Sequence, residues 1–89
     1  MNTISKTDTA VTITFNGADR TIAYQPAEQV EAVLNRGMND FGIQQNRHLM
    51  GLFNEAGVEL NDKSSMGSAG VKPGDVLVLR QSTVRGGGH

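Results

Sequence analysis

Cysteine and tryptophan are both absent from this chain. Without cysteine there can be no disulfide framework, no thiolate metal site and no cysteine nucleophile. Aromatic residues make up only 4% of the sequence, so any core must be built from aliphatic side chains. Charge of one sign is also lacking: eight basic residues stand against nine acidic ones, for a net charge of −1. No basic stripe marks a nucleic-acid or anionic-membrane surface. No apolar run approaches membrane-spanning length, and no apolar stretch of the kind a secretory signal needs follows Met1. The expected compartment is therefore cytoplasmic. With 89 residues and 37% apolar content, one modest core is the limit.

The apolar residues fall in periodic runs. Residues 1–9 are polar and unpatterned, and are expected to form a flexible N-terminal tail. From Ala10 to Phe15 the chain alternates, with Val11, Ile13 and Phe15 on one face and Thr12 and Thr14 on the other. That is the pattern of a half-buried strand. Asn16-Gly17-Ala18-Asp19 supplies hairpin chemistry. Arg20–Tyr24 reads as the return strand, with Ile22 and Tyr24 turned inward. Pro26 can open a helix, because its missing N–H costs nothing in a first turn. Val30, Val33, Leu34, Gly37 and Phe41 then form one helical stripe, which Gly42 can terminate.

Beyond the helix, His48–Phe53 reads as a third strand and Val58–Leu60 as a short fourth. Asp62–Lys72 is rich in Ser and Gly and reads as a loop, with one helical turn near Ser64–Met66. Pro73-Gly74-Asp75 is a turn, and Val76–Arg80 is the last strand. Gln81 onward is expected to be a solvent-exposed tail, so residues 10–80 form the domain and 81–89 a flexible C-terminal segment. One helix packed across a mixed four- or five-stranded sheet buries every apolar stripe, in the α+β class. The first and last strands would lie side by side and parallel at the sheet's centre.

The chain ends Arg85-Gly86-Gly87-Gly88-His89. Glycine lacks a Cβ, so such an end can thread a narrow channel and leaves its carbonyl open to attack. Thr12-Ile13-Thr14-Phe15 with its hairpin, Gln25-Pro26 before the helix, Gly42-Ile43 and Gln44-Gln45 after it, and Arg47 beyond recur in order and spacing in a known family. So do Leu77-Val78-Leu79-Arg80 and Arg85-Gly86-Gly87. Together they resemble ubiquitin and the β-grasp ubiquitin-like modifiers over about residues 11–87. The departures are a longer link from Arg80 to the glycines, a third glycine followed by His89, and only three lysines, Lys6, Lys63 and Lys72. These features look more like a modifier of a bacterial conjugation system than like eukaryotic ubiquitin.

The resemblance implies a protein that is not itself an enzyme and binds no cofactor or metal of its own. An activating enzyme would use ATP and magnesium to adenylate a C-terminal glycine, and a conjugating enzyme would pass the acyl group to target proteins. His89 would make the chain a precursor, matured by a zinc-dependent processing peptidase after Gly87 or Gly88. The alternative is that His89 and the glycines are a plain flexible end. Gly86, Gly87, Gly88 and His89 are thus the processing and conjugation residues. Arg80 and Arg85 would dock acidic groups on the activating enzyme through their guanidinium forks. If Leu77 and Leu79 face the helix, Val76 and Val78 with Met50 of the third strand would form an outward apolar patch for partners. Two rival functions stay open: a sulfur carrier bearing a C-terminal thiocarboxylate, and a non-conjugated β-grasp adaptor. His48 is the one histidine before the tail, and no nucleophile or metal triad assembles around it.

Overall fold

The computed structural model describes residues 9–82. The elements, in chain order, are β1 (Ala10–Phe15), β2 (Ala18–Ala23), α1 (Val30–Phe41), a 3₁₀ turn (Arg47–Leu49), β3 (Met50–Phe53) and β4 (Val76–Gln81). The four strands form one mixed sheet in the order β2-β1-β4-β3. β1 pairs antiparallel with β2 across the hairpin and parallel with β4. β3 pairs antiparallel with β4.

The hairpin closes as its residue types dictate. Asn16 and Gly17 both take positive φ, 52° and 83°, which the Asn-Gly pair tolerates better than any other. The alternation of β1 holds: Val11 and Ile13 are fully buried, facing Ile22 and Tyr24 from the β2 side. Leu77 and Leu79 of β4 point to the same face.

Val30, Val33 and Leu34 of α1 pack onto this face, joined by Met38. Gly37 lies on the same stripe. A Cβ there would meet Ile13 Cδ1 at 3.0 Å, so the missing side chain lets the helix approach the sheet closely. Phe41, expected on the stripe, is half-buried and tilts against Phe15 with ring centroids 5.4 Å apart. Gly42 ends the helix in the left-handed region at φ 74°, and Ile43 N–H donates back to Met38 O.

The helix begins at Val30, four residues after Pro26, because its end is capped by tertiary contacts. Val30 N–H donates to Ser64 O and Glu31 N–H to Asp62 O, which satisfies first-turn donors that no local side chain reaches. The Ser- and Gly-rich stretch expected as a loop is thus bolted to the helix start. Met66 N–H donates to Glu28 O, and the Met66 side chain is fully buried. The single helical turn in it lies at Ser65–Ala69, closed by Ala69 N–H to Ser65 O, and not at Ser64–Met66.

Three further expectations are corrected. His48 and Leu49 belong to the 3₁₀ turn, so β3 starts at Met50. Val58–Leu60 is no strand; it meets β3 through the isolated Phe53–Glu59 bridge, flanked by the bonds from Asn54 N–H to Val58 O and from Leu60 N–H to Leu52 O. The ordered chain runs past Arg80: Gln81 belongs to β4 and Ser82 is 2% exposed, its N–H donating to Leu49 O. At the other end Thr9 O accepts from Tyr24 N–H, which extends the β1–β2 ladder by one residue.

Candidate functional site

The sheet face opposite α1 carries the candidate site. On β4, Val76, Val78 and Arg80 point this way while Leu77 and Leu79 point to the core. Cross-strand register sets their neighbours: Val78 lies between Thr14 of β1 and Phe53 of β3, Val76 beside Thr12, and Arg80 opposite Gly51. Val76 and Val78 are half-buried and Arg80 is exposed.

Met50 does not join them. It pairs with Gln81 on the helix side of the sheet and is 9% exposed, part of the main core. The third-strand member of the outward face is Phe53. The reason is the run Leu49-Met50-Gly51-Leu52-Phe53: it is apolar or glycine throughout, so it carries no alternation from which a face can be read. A one-residue error of parity then moves every side chain to the wrong face.

Phe53 lies on the outward face yet is only 2% exposed. The Arg80 guanidinium carbon sits 3.9 Å from its ring centroid, and the Glu59 backbone bridges to its far side. Arg80 therefore stacks its cationic plane on an aromatic ring, an attraction worth about 0.5–1 kcal/mol at an exposed site. The stacked geometry leaves the edge of the guanidinium available to a carboxylate. Phe53, Gly51, Glu59 and Ser82 are residues of this face that the sequence did not single out. The cation–aromatic pair spans 27 positions, and only the β3–β4 register reveals it.

Gly86, Gly87, Gly88, His89 and Arg85 lie outside the described residues. Among the described residues, no group of three or more His, Cys, Asp or Glu side chains could hold a metal ion. His48 is exposed on the 3₁₀ turn. An open cleft beside the end of β2 is walled by Tyr24, Pro26, Glu28 and Arg36. Its charged groups are already matched: Arg36 donates to both Glu28 oxygens at 3.1 and 2.6 Å and to Ala23 O at 2.7 Å. That pairing, chiefly the hydrogen bond, holds the Glu28 carboxyl below its ordinary value of 4.5 and raises Arg36 in turn. No helix of the described residues is long and apolar enough to cross a membrane.

No protein-family model matches the sequence, and no curated protein matches it. Solved structures do match the fold. A chain of the crystal structure of ATBAG1 in complex with HSP70 superposes with a TM-score of 0.72 at 18% identity, over 88% of this chain and 42% of that one. A protein designed de novo on the basis of ubiquitin superposes with a TM-score of 0.72 at 17% identity, over 83% of this chain and 88% of the design. This chain thus spans less than half the length of the first and most of the length of the second. At such identities the likeness defines the fold alone, and that fold is the ubiquitin-like β-grasp.

Proposed function

We propose that this chain is a ubiquitin-like modifier precursor, joined to other proteins through a C-terminal glycine. The observation that carries the reading is the route of the chain. β4 lies at the sheet's interior beside β1 and leads straight into the segment ending Arg85-Gly86-Gly87-Gly88-His89. In this reading a zinc-dependent peptidase of a bacterial conjugation system first hydrolyses the glycyl–His89 bond in the cytoplasm. The freed carboxylate attacks the α-phosphate of magnesium-bound ATP on an activating enzyme and expels pyrophosphate. An enzyme thiolate then takes the acyl group and releases AMP. A target amine displaces that thiol through a conjugating enzyme, and an amide bond results. The chain itself contributes an unhindered carboxyl group and a docking face; Arg80 and Arg85 would meet acidic groups there, and the half-buried Val76 and Val78 an apolar partner surface.

Pyrophosphate exchange with the purified activating enzyme tests this directly. The form ending in His89 should be inert, because its glycine carbonyl is an unactivated amide. The form ending in Gly88 should support exchange, with Gly87 as the other terminus to try. A form carrying Gly87→Ala and Gly88→Ala and ending at residue 88 should fold normally and fail. Equal exchange from an intact His89-terminated chain would overturn the precursor reading. The half-buried apolar face supports a second reading, an adaptor that binds without acyl chemistry. A mass-spectrometric search for glycyl remnants on target lysines separates the two. A terminus with sulfur in place of one oxygen would instead identify a sulfur carrier.

A further inference from the structure

The end of β4 is fastened in a way that bears on where the C-terminal segment starts. Ser82 lies on the outward face of the sheet, two residues beyond Arg80, and is buried. Its N–H donates to Leu49 O at 2.7 Å, which continues the β3–β4 ladder past Gln81. The ground beneath it is Gly51. A Cβ on Gly51 would stand 2.6 Å from Glu59 Oε2 and 3.5 Å from Ser82 Cβ. The carboxylate of Glu59 and the side chain of Ser82 therefore converge over the one position of β3 that has no side chain. Glu59 is delivered there by the bridge to Phe53 and by the bond from Leu60 N–H to Leu52 O. Arg80, opposite Gly51 in the ladder, turns onto Phe53 and leaves the space to Ser82.

We infer that Gly51 and Glu59 form a seat for Ser82, and that this seat sets the point from which the C-terminal segment departs. They are positioning residues; neither takes part in chemistry. Taken with the modifier reading, on which this part rests, the seat limits reach. Five residues run from Thr83 through Gly87 and six through Gly88. At full extension they span at most about 17–21 Å. Releasing Gln81 and Ser82 would add about 7 Å of free chain. The link from Arg80 to the glycines is longer than in ubiquitin, and the seat takes up two residues of that excess.

Amide hydrogen exchange on the full chain reads the seat without any partner. The Ser82 amide should exchange on the order of 100-fold more slowly than in an unstructured peptide of the same sequence. Glu59→Ala should bring it close to the free-peptide rate while the Ile13 amide, in the sheet's centre, keeps its protection. Gly51→Val, whose side chain would occupy the place of the Glu59 carboxylate, should do the same. Trypsin gives a second measure: the Arg80–Gln81 bond should resist cleavage in the parent chain and yield in both variants. A Ser82 amide that exchanges freely in the parent overturns the seat. So does protection that survives Glu59→Ala with Ile13 still protected. If the seat is present but no form of the chain supports pyrophosphate exchange, the seat stands and the modifier reading falls.

Discussion

Ile13 and Leu79 show how much a single side chain carries here. Both are essentially inaccessible, on neighbouring central strands, and Ile13 also contacts the helix where Gly37 approaches. Truncating either to alanine should cost on the order of 2–4 kcal/mol, the transfer loss plus a cavity that close packing cannot fill. Urea unfolding measures this; a loss below about 1 kcal/mol at both sites would mean the inner face has been misassigned. Ile13 was legible in the sequence because β1 alternates with threonine, which betrays the buried parity; the Val-Leu-Val-Leu run of β4 left the facing of Leu79 conditional until the β1–β4 register fixed it. Met50 was not, because its neighbours Leu49 and Leu52 are as apolar as it is. Phe53 escaped notice for a related reason: its burial is completed by Arg80, a charged residue that no hydropathy pattern counts as cover.

At the scale of elements, β2 is a sheet edge, and such an edge invites a foreign strand. Tyr24 N–H donates to Thr9 O, so the even-numbered residues of β2 pair with β1 and the odd-numbered ones face outward. Asp19, Thr21 and Ala23 thus present their carbonyls to the open side. Two of these three are taken: Arg20 donates to Asp19 O at 3.1 Å and Arg36 to Ala23 O at 2.7 Å. Each arginine is tied to the helix side as well. Arg20 pairs with Asp40 at 3.4 Å and lies 5.3 Å from the Phe41 ring centroid, and Arg36 grips Glu28. Arg20→Ala combined with Arg36→Ala should leave the domain folded but prone to pair edge to edge. Sedimentation should show a concentration-dependent dimer where the parent stays monomeric; a monomeric double variant would dismiss the guarding role. The hairpin, the helix stripe and β4 could be read from residue types because turn chemistry and period are local. The true helix start, the burial of Met66 and the failure of Val58–Leu60 to form a strand could not. The first two depend on partners more than thirty positions away, Ser64 at Val30 and Glu28 at Met66, and Val58–Leu60 meets β3 through one isolated bridge and not a ladder.

For the molecule as a whole, two groups tie stability to pH, from opposite sides. Arg36 lowers the Glu28 pKa, so the folded state holds that proton less tightly than the unfolded chain does. The stabilisation is complete above the ordinary value of 4.5 and is lost as pH falls through the lower folded value. Burial, helped by the Asp75 charge, raises the Tyr24 phenol above 10.0, so its contribution is complete below 10.0 and is lost as pH rises through the folded value. Both partners of the Glu28–Arg36 pair are partly open to water, which limits it to about 0.2–1 kcal/mol. Glu28→Gln keeps the oxygen that accepts from Gln25 N–H but removes the charge. Urea midpoints of parent and variant should differ at neutral pH and converge in acid; a gap that persists unchanged at pH well below 4.5 would assign the effect to something other than ionisation.

The parallel pairing of β1 with β4 has a mechanical consequence. Parallel neighbours enter the sheet at one end and leave it at the other. A pull applied between the start of β1 and the end of β4 therefore drags the two strands lengthwise past each other. The register Thr12–Val76, Ile13–Leu77 and Thr14–Val78, with the bonds from Gly74 N–H to Ala10 O and from Thr12 N–H to Asp75 O, is loaded all at once. A hairpin pulled at its two free ends opens one rung at a time and yields at small force. Once the Gln81–Ser82 end of β4 has parted from β3, further extension between the two ends requires this seam to shear, and the lifetime under tension is set by the slowest step of unfolding.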